Sequence, residues 1–245
     1  MTLIIAHRGS SGYNPEMTIP AYELALNQNV DGLEIDVRLT KDLELVGIHD
    51  RKTGRVANRD IVVSKSSLKE LKELDFSSQN VQAKIITLRE FLTLALDSGK
   101  LLTLAIETKH VTKHHGLLEY RISQLLTEFA LNEDKHDRVK IVLMSFNPLG
   151  LLRFSKINPL IPRVQLKEMG YPFMQLFPNL GSPAIVGLKI ELLMKNPKLC
   201  IKFKKQGKKI FVWTADSAEE IIFSAKQGFD AVITNNPEVA IRILR

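Results

Sequence analysis

Cysteine is almost missing from this chain. Cys200 is the only one, which excludes any disulfide within the chain and suits a reducing, cytoplasmic setting. Long apolar runs are missing too. No stretch approaches the ~20 residues that a membrane-spanning helix needs, so no transmembrane segment is expected. The opening MTLIIAHRG has a short apolar run and no basic leader, and reads as a first strand, not a signal peptide. Zinc-finger and basic-zipper patterns are absent. The net charge is +7, from 34 Lys+Arg against 27 Asp+Glu, and the densest basic run is KFKKQGKK at 202–209. Its place between a helix and a strand favours solvated cations near a helix C-terminus over a nucleic-acid patch. No nucleic-acid partner is expected, and the sequence leaves a homo-oligomer open.

What the chain does contain is an ordinary globular composition, 44% hydrophobic and 25% charged over 245 residues. β-rich runs alternate with helical ones. Strands are expected at 3–7, 32–37, 101–107, 140–145, 163–166, 185–190, 209–215 and 231–234. Helical spacing falls at 18–29, 87–99, 116–131, 148–157, 196–207, 217–228 and 237–243. Thr87 with Glu90 forms a capping box, and Gly99 is the stop. Eight strand–helix units at this length predict an α/β fold, a closed (β/α)₈ TIM barrel spanning 1–245 as one domain. An open doubly wound sheet is the alternative. Residues 51–85, with one short helical stretch SLKELKEL, read as a small insertion after the second strand. The proline-rich tract at 167–183 reads as a loop.

The stretch DGLEIDVRLT at 31–40 poses a physical problem. Residues two apart on a strand share a face, so Glu34 and Asp36 lie side by side opposite Leu33, Ile35 and Val37. Burying two adjacent carboxylates costs several kcal/mol, order of magnitude, unless a cation or an Arg or Lys neutralises them. In a barrel the strand C-termini gather on one rim. Strand one ends in His7 and Arg8. Strand two carries Glu34 and Asp36, and the continuation LELVGIHD ends in His49 and Asp50. Strand three ends in Glu107 and Lys109, and strand seven carries Trp213. Glu34, Asp36 and Glu107 form an all-oxygen set suited to a hard divalent cation, Mg²⁺ or Ca²⁺. His7 and His49 suit general acid–base work near neutral pH. Arg8 and Lys109 suit an anionic substrate. Together they point to metal-assisted phosphoryl chemistry. Trp213 could equally be core or a substrate wall. His110, His114 and His115 read as a solvated loop beside the substrate, and His136 as surface.

These segments resemble a known family. AHRGSSGYNPEMTIPAYELAL, DGLEIDVRLTKDLELVGIHD, AIETK, VWTAD and GFDAVITNNP, in this order, are similar to the motifs of the glycerophosphodiester phosphodiesterases, barrels of the phosphatidylinositol-phosphodiesterase type. The resemblance implies hydrolysis of glycerophosphodiesters to sn-glycerol 3-phosphate and an alcohol. It implies one divalent cation on Glu34, Asp36 and Glu107, His7 and His49 as the acid–base pair, and Arg8 and Lys109 on phosphate. Glu16 and Asp50 would support these groups. Three positions depart from the family: Met17 stands where asparagine is usual, Gly47 is expected to loosen the strand before His49, and Asn235 stands where aspartate is common. A lysophospholipase D or phospholipase C-like barrel acting on larger lipids is the alternative, with YPFMQLFPNLG as its apolar rim. A barrel that only binds phosphate esters is the non-enzymatic one.

Overall fold

The computed structural model describes residues 1–78, 80–110, 116–133, 136–168 and 183–245. The tract 169–182, which holds YPFMQLFPNLG, lies outside them, as do His114 and His115. Among the described residues nine strands form one sheet: β1 (Leu3–Ala6), β2 (Gly32–Leu39), β3 (Leu45–Gly47), β4 (Leu102–Thr108), β5 (Val139–Ser145), β6 (Arg163–Lys167), β7 (Ile185–Lys189), β8 (Lys209–Trp213) and β9 (Ala231–Thr234). Parallel pairings run β1-β9-β8-β7-β6-β5-β4-β2, and β1 pairs β2 to close the ring. This is the eight-stranded barrel expected. The ninth strand, β3, turns back antiparallel on β2 with Val37 opposite Gly47. LELVGIHD is therefore not a continuation of the second strand. Leu43 at φ 65° and a bond from the Glu44 N–H to Thr40 Oγ1 make the turn that sends it back.

Two concentric cores follow from strand alternation. Ile5, Ala105, Val142, Val164, Phe211 and Ala231 point into the barrel. Leu33, Ile35 and Val37 point outward and pack under helices through Tyr22, Phe91 and Leu92. Tyr22 and Phe91 meet edge-on at 4.9 Å, and both are fully buried. Helix Leu88–Asp97 begins at the Thr87–Glu90 capping box. The 51–85 segment adds a satellite core in which Val46 and Ile48 pack with Leu71, Leu74 and Phe76.

Most boundaries shift by one to three residues, as at the strand expected over 209–215, which ends at Trp213, and the largest difference follows β7. The strand at 185 ends at Lys189, and two helices follow, Ile190–Lys195 and Lys198–Lys205, where one was expected over 196–207. Pro197 separates them, since a proline cannot donate to the preceding helix. Gly47 is not a loosened position: a Cβ there would lie 2.9 Å from Ile86 and 3.0 Å from Ile35, so the site is packed to the limit.

Candidate active site

β1 delivers His7 and Arg8 to the barrel rim. Arg8 takes a left-handed backbone, φ 59°, a conformation disfavoured outside glycine. That twist aims its N–H at Glu34 Oε2, 3.0 Å away, and its guanidinium at Glu16 and Asp36. Gly9 follows at φ 82°, and a Cβ there would sit 2.7 Å from the Ala21 backbone, so both the conformation and the space call for glycine. Met17, also left-handed at φ 53°, is buried and donates its N–H to the Arg8 carbonyl.

Strand register sets the carboxylates. β2 and β4 are parallel with Asp36 opposite Glu107, so both face inward beside Glu34. Ligand oxygens of Glu34, Asp36 and Glu107 all lie within 4.8 Å of one another, and all three residues are buried. Lys109 Nζ bridges Asp36 at 3.0 Å and Glu107 at 2.5 Å, and Arg8 Nε lies 2.9 Å from Asp36. Two cations thus offset part of three negative charges. Glu34 Oε1 is buried and meets no donor among the described residues. An orphaned carboxylate oxygen beside two more carboxylates fits a hard cation, and the all-oxygen set fits Mg²⁺ or Ca²⁺.

The electrostatics follow the same balance. Burial, then the neighbouring Asp36, pushes the Glu34 carboxyl well above the ordinary range. Burial and Asp36 also raise Glu107 to about 7, although Lys109 works against them. Burial opposes ionisation of Asp36 as well, but Lys109 and Arg8 outweigh it and hold that carboxyl below its usual range.

The hairpin β2–β3 returns His49 to the level of Asp36, fixed by a bond from the Ile48 N–H to the Asp36 carbonyl. His49 Nδ1 lies 2.7 Å from Asp50 Oδ1. His7 Nδ1 lies 2.7 Å from Asn235 Oδ1, and its Nε2 lies 4.0 Å from Glu34. Burial, reinforced by Arg8, lowers the His7 imidazole to about 4, while burial and Lys109 lower His49. A cavity of about 620 Å³ joins His7, Glu34, His49, Glu107 and Lys109 to a second wall made of Phe146, Leu166 and Trp213. Phe146 and Trp213 meet edge-on at 5.5 Å. All seven residues expected to bear catalysis, metal or phosphate are thereby brought together, and Trp213 joins them.

Several contributors were not foreseen. Arg55, from the insertion, clasps Glu16 at 2.7 Å and Asp50 at 2.6 Å, tying both expected supports together. Arg38 donates twice to the His49 carbonyl. The Tyr22 hydroxyl donates to the Glu34 carbonyl. Asp216 accepts from the side-chain amide of Asn235 at 2.6 Å. His110 lines the cavity, as expected, but it is mostly buried and held near Glu119, which also accepts from Arg153. These partners are set by tertiary approach, and only the placement of Asp216 next to VWTA hinted at one.

Comparison with known proteins shows the family and the fold. The sequence model of the glycerophosphoryl diester phosphodiesterase family matches residues 7–239. A glycerophosphodiester phosphodiesterase of Caldanaerobacter subterraneus subsp. tengcongensis is 32% identical, covering 100% of this chain and 98% of its own. An Oleispira antarctica phosphodiesterase, solved in complex with the product sn-glycerol-3-phosphate, superposes with a TM-score of 0.87 at 25% identity, covering 100% of this chain and 97% of that one. A glycerophosphodiester phosphodiesterase of Agrobacterium tumefaciens shares the fold, with a TM-score of 0.79 at 22% identity over 99% of this chain and 100% of that one. The chain belongs to the glycerophosphoryl diester phosphodiesterase family.

Proposed function

We propose that this chain, read as one domain with 51–85 as its insertion, hydrolyses glycerophosphodiesters to sn-glycerol 3-phosphate and an alcohol with a divalent cation. The observation that carries this reading is the convergence of two histidines, two carboxylates and two cations on one cavity of a family-typical barrel, with a third carboxylate, Asp36, grouped with the other two within 4.8 Å. Glu34, Asp36 and Glu107 would hold the ion, either Mg²⁺ or Ca²⁺. Such an ion, when bound, supplies charge neutralisation for a phosphoryl oxygen. Arg8 and Lys109 add fixed positive charge where negative charge grows in the transition state. Trp213 and Phe146 bound the pocket and exclude water on one side.

The partners of the two imidazoles divide their roles. An amide oxygen on His7 Nδ1 keeps the proton there and leaves Nε2 as a lone pair facing the cavity. His7 therefore suits removal of a proton from the attacking hydroxyl, whether from the substrate or from water. The carboxylate on His49 Nδ1 supports its imidazolium against burial and Lys109, which lower its pKa. His7 has no such carboxylate on Nδ1, so His49 is the better placed of the two to protonate the leaving alkoxide. The reading as a mere phosphate-ester binder would fit a degraded set, and every acid–base and carboxylate position is present here.

The test is release of glycerol 3-phosphate from glycerophosphocholine and glycerophosphoethanolamine, with EDTA and then with Mg²⁺ or Ca²⁺ restored, beside Glu34→Ala. Metal-dependent release lost in Glu34→Ala supports the proposal. Release that survives EDTA undiminished, or none under any metal, overturns it.

A further inference from the structure

The charge of this protein is concentrated in one place. Residues 189–209 hold eight lysines and one acidic residue, Glu191. Taking these from the totals of 34 and 27 leaves 26 basic against 26 acidic residues, so the remainder of the chain is neutral and this segment carries the whole net charge of +7. The segment is continuous on the surface. It leaves β7 at Lys189, runs through helices Ile190–Lys195 and Lys198–Lys205, and enters β8 at Lys209.

Burial sorts its residues cleanly. Leu193, Cys200 and Phe203 face the barrel, while Lys195, Lys198, Lys202, Lys205 and Lys209 are exposed. None of those five ammonium groups makes a hydrogen bond or ion pair among the described residues. Lys167 extends the patch from β6, with Nζ 5.7 Å from the centre of the Phe203 ring. Burial lowers the affinity of Lys167 for its proton, and Lys208 and Lys202 lower it further, so these lysines lie close enough to repel. Amid them stands Ile201, 55% exposed. The only aromatic residue of the segment, Phe203, is buried, and no arginine occurs between 189 and 209.

We propose that this lysine face docks the protein on an anionic lipid bilayer. Unpaired lysines are point charges that suit a diffuse anionic plane, whereas nucleic-acid sites use exposed aromatics for stacking and arginine for bidentate contacts. An exposed aliphatic residue in the middle of the patch can enter the headgroup boundary. The topology leaves the active site free. Strand C-termini open the cavity at one end of the barrel, and the chain from Lys189 to Lys209 runs down the flank to the opposite end. Docking through this flank holds the barrel at a membrane with its mouth toward water. The proposal stands on charge and exposure and is independent of the catalytic assignment.

The test is sedimentation of the full chain with vesicles of phosphatidylcholine containing 30 mol% phosphatidylglycerol, beside pure phosphatidylcholine, in 50 and 500 mM NaCl. Binding to the anionic vesicles at least ~10-fold above the neutral ones, and lost at high salt, is expected. The variant Lys198→Glu/Lys202→Glu/Lys205→Glu should bind at least ~10-fold more weakly, with an unchanged melting temperature. A control with the same change of net charge elsewhere, Lys41→Glu/Lys65→Glu/Lys69→Glu, should bind within about twofold of wild type. Equal binding to both vesicle types, or equal losses in the two triple variants, overturns the proposal. Tighter binding to a mixed-sequence RNA than to the anionic vesicles at equal salt also overturns it.

Discussion

His7 and Asn235 share a 2.7 Å hydrogen bond, and the amide of Asn235 is itself oriented by Asp216, 2.6 Å from its nitrogen. Asp216 also accepts from the Asn235 N–H and from Thr234 Oγ1. The chain thus places a carboxylate one step behind the amide that faces His7. Asn235 is not a free variation on an aspartate, because an aspartate there would face Asp216 at hydrogen-bonding distance. Asn235→Asp is therefore expected to destabilise the protein by about 1–3 kcal/mol, the cost of replacing an amide–carboxylate hydrogen bond by two facing, partly buried carboxylates. The exchange Asp216→Asn with Asn235→Asp should recover most of this. It should also raise the His7 pKa, and so move the acid limb of kcat/KM to higher pH. Denaturant melts and a pH–rate profile check both; a stable Asn235→Asp single variant would show that the relay does not orient the amide.

Either His7→Ala or His49→Ala should lower kcat by about 10²-fold or more, with the circular-dichroism spectrum and melting temperature retained. The two should differ in substrate dependence if their roles differ. A diester with a good leaving group, such as a nitrophenyl ester, needs little protonation of its alkoxide, so it should largely rescue His49→Ala and leave His7→Ala impaired. Equal rescue of both would refute the division of roles.

Much of the site was legible because its residues are tied to strand positions. Parity alone placed Glu34 with Asp36 and Glu107 with Lys109, and strand ends placed His7 and Trp213. The barrel followed from eight strand–helix units. The rest depends on approach through space. Arg55 reaches Glu16 across 39 residues, and no periodicity marks such a contact. His49 reaches the cavity by a different local route from the one expected, since the chain turns at Leu43 and β3 runs back antiparallel to β2. The helix break at Pro197 was visible in principle, but the apolar spacing on its two sides is nearly continuous.

Glu34→Gln separates the cost of this carboxylate from its use. An amide keeps an oxygen for the Arg8 N–H and removes the charge that burial and Asp36 both disfavour. The metal-free variant should melt at or above the wild-type temperature at pH 8. It should also lose most of the stabilisation by added Mg²⁺ or Ca²⁺, and at least ~10²-fold in activity. A variant that keeps a wild-type metal-induced shift would remove Glu34 from the ligand set.

The raised carboxyls also dictate how stability depends on pH. Glu107 has a folded-state pKa of about 7 against an ordinary 4.5, so the folded protein binds its proton more tightly than the unfolded chain does. Its contribution to stability is complete below about pH 4.5 and is lost as pH rises through 7, on the order of 3 kcal/mol from this group alone. Glu34, raised for the same reasons, acts in the same direction. Asp36 is depressed, so its contribution is present above its ordinary value of 3.8 and lost only at lower pH, outside this window. The lowered imidazoles of His7 and His49 act the other way, giving up stability as pH falls below 6.5. Two raised carboxyls outweigh them, so the metal-free protein should still melt at a lower temperature at pH 8 than at pH 5.5. A divalent cation competes with the same protons, so it should stabilise strongly at pH 8 and weakly at pH 5.5, releasing protons as it binds. Scanning calorimetry in EDTA and in 5 mM Mg²⁺ or Ca²⁺ at both pH values reads this directly. If the metal-induced shift is the same at both pH values, the ion does not bind the carboxylates whose protons it was expected to displace.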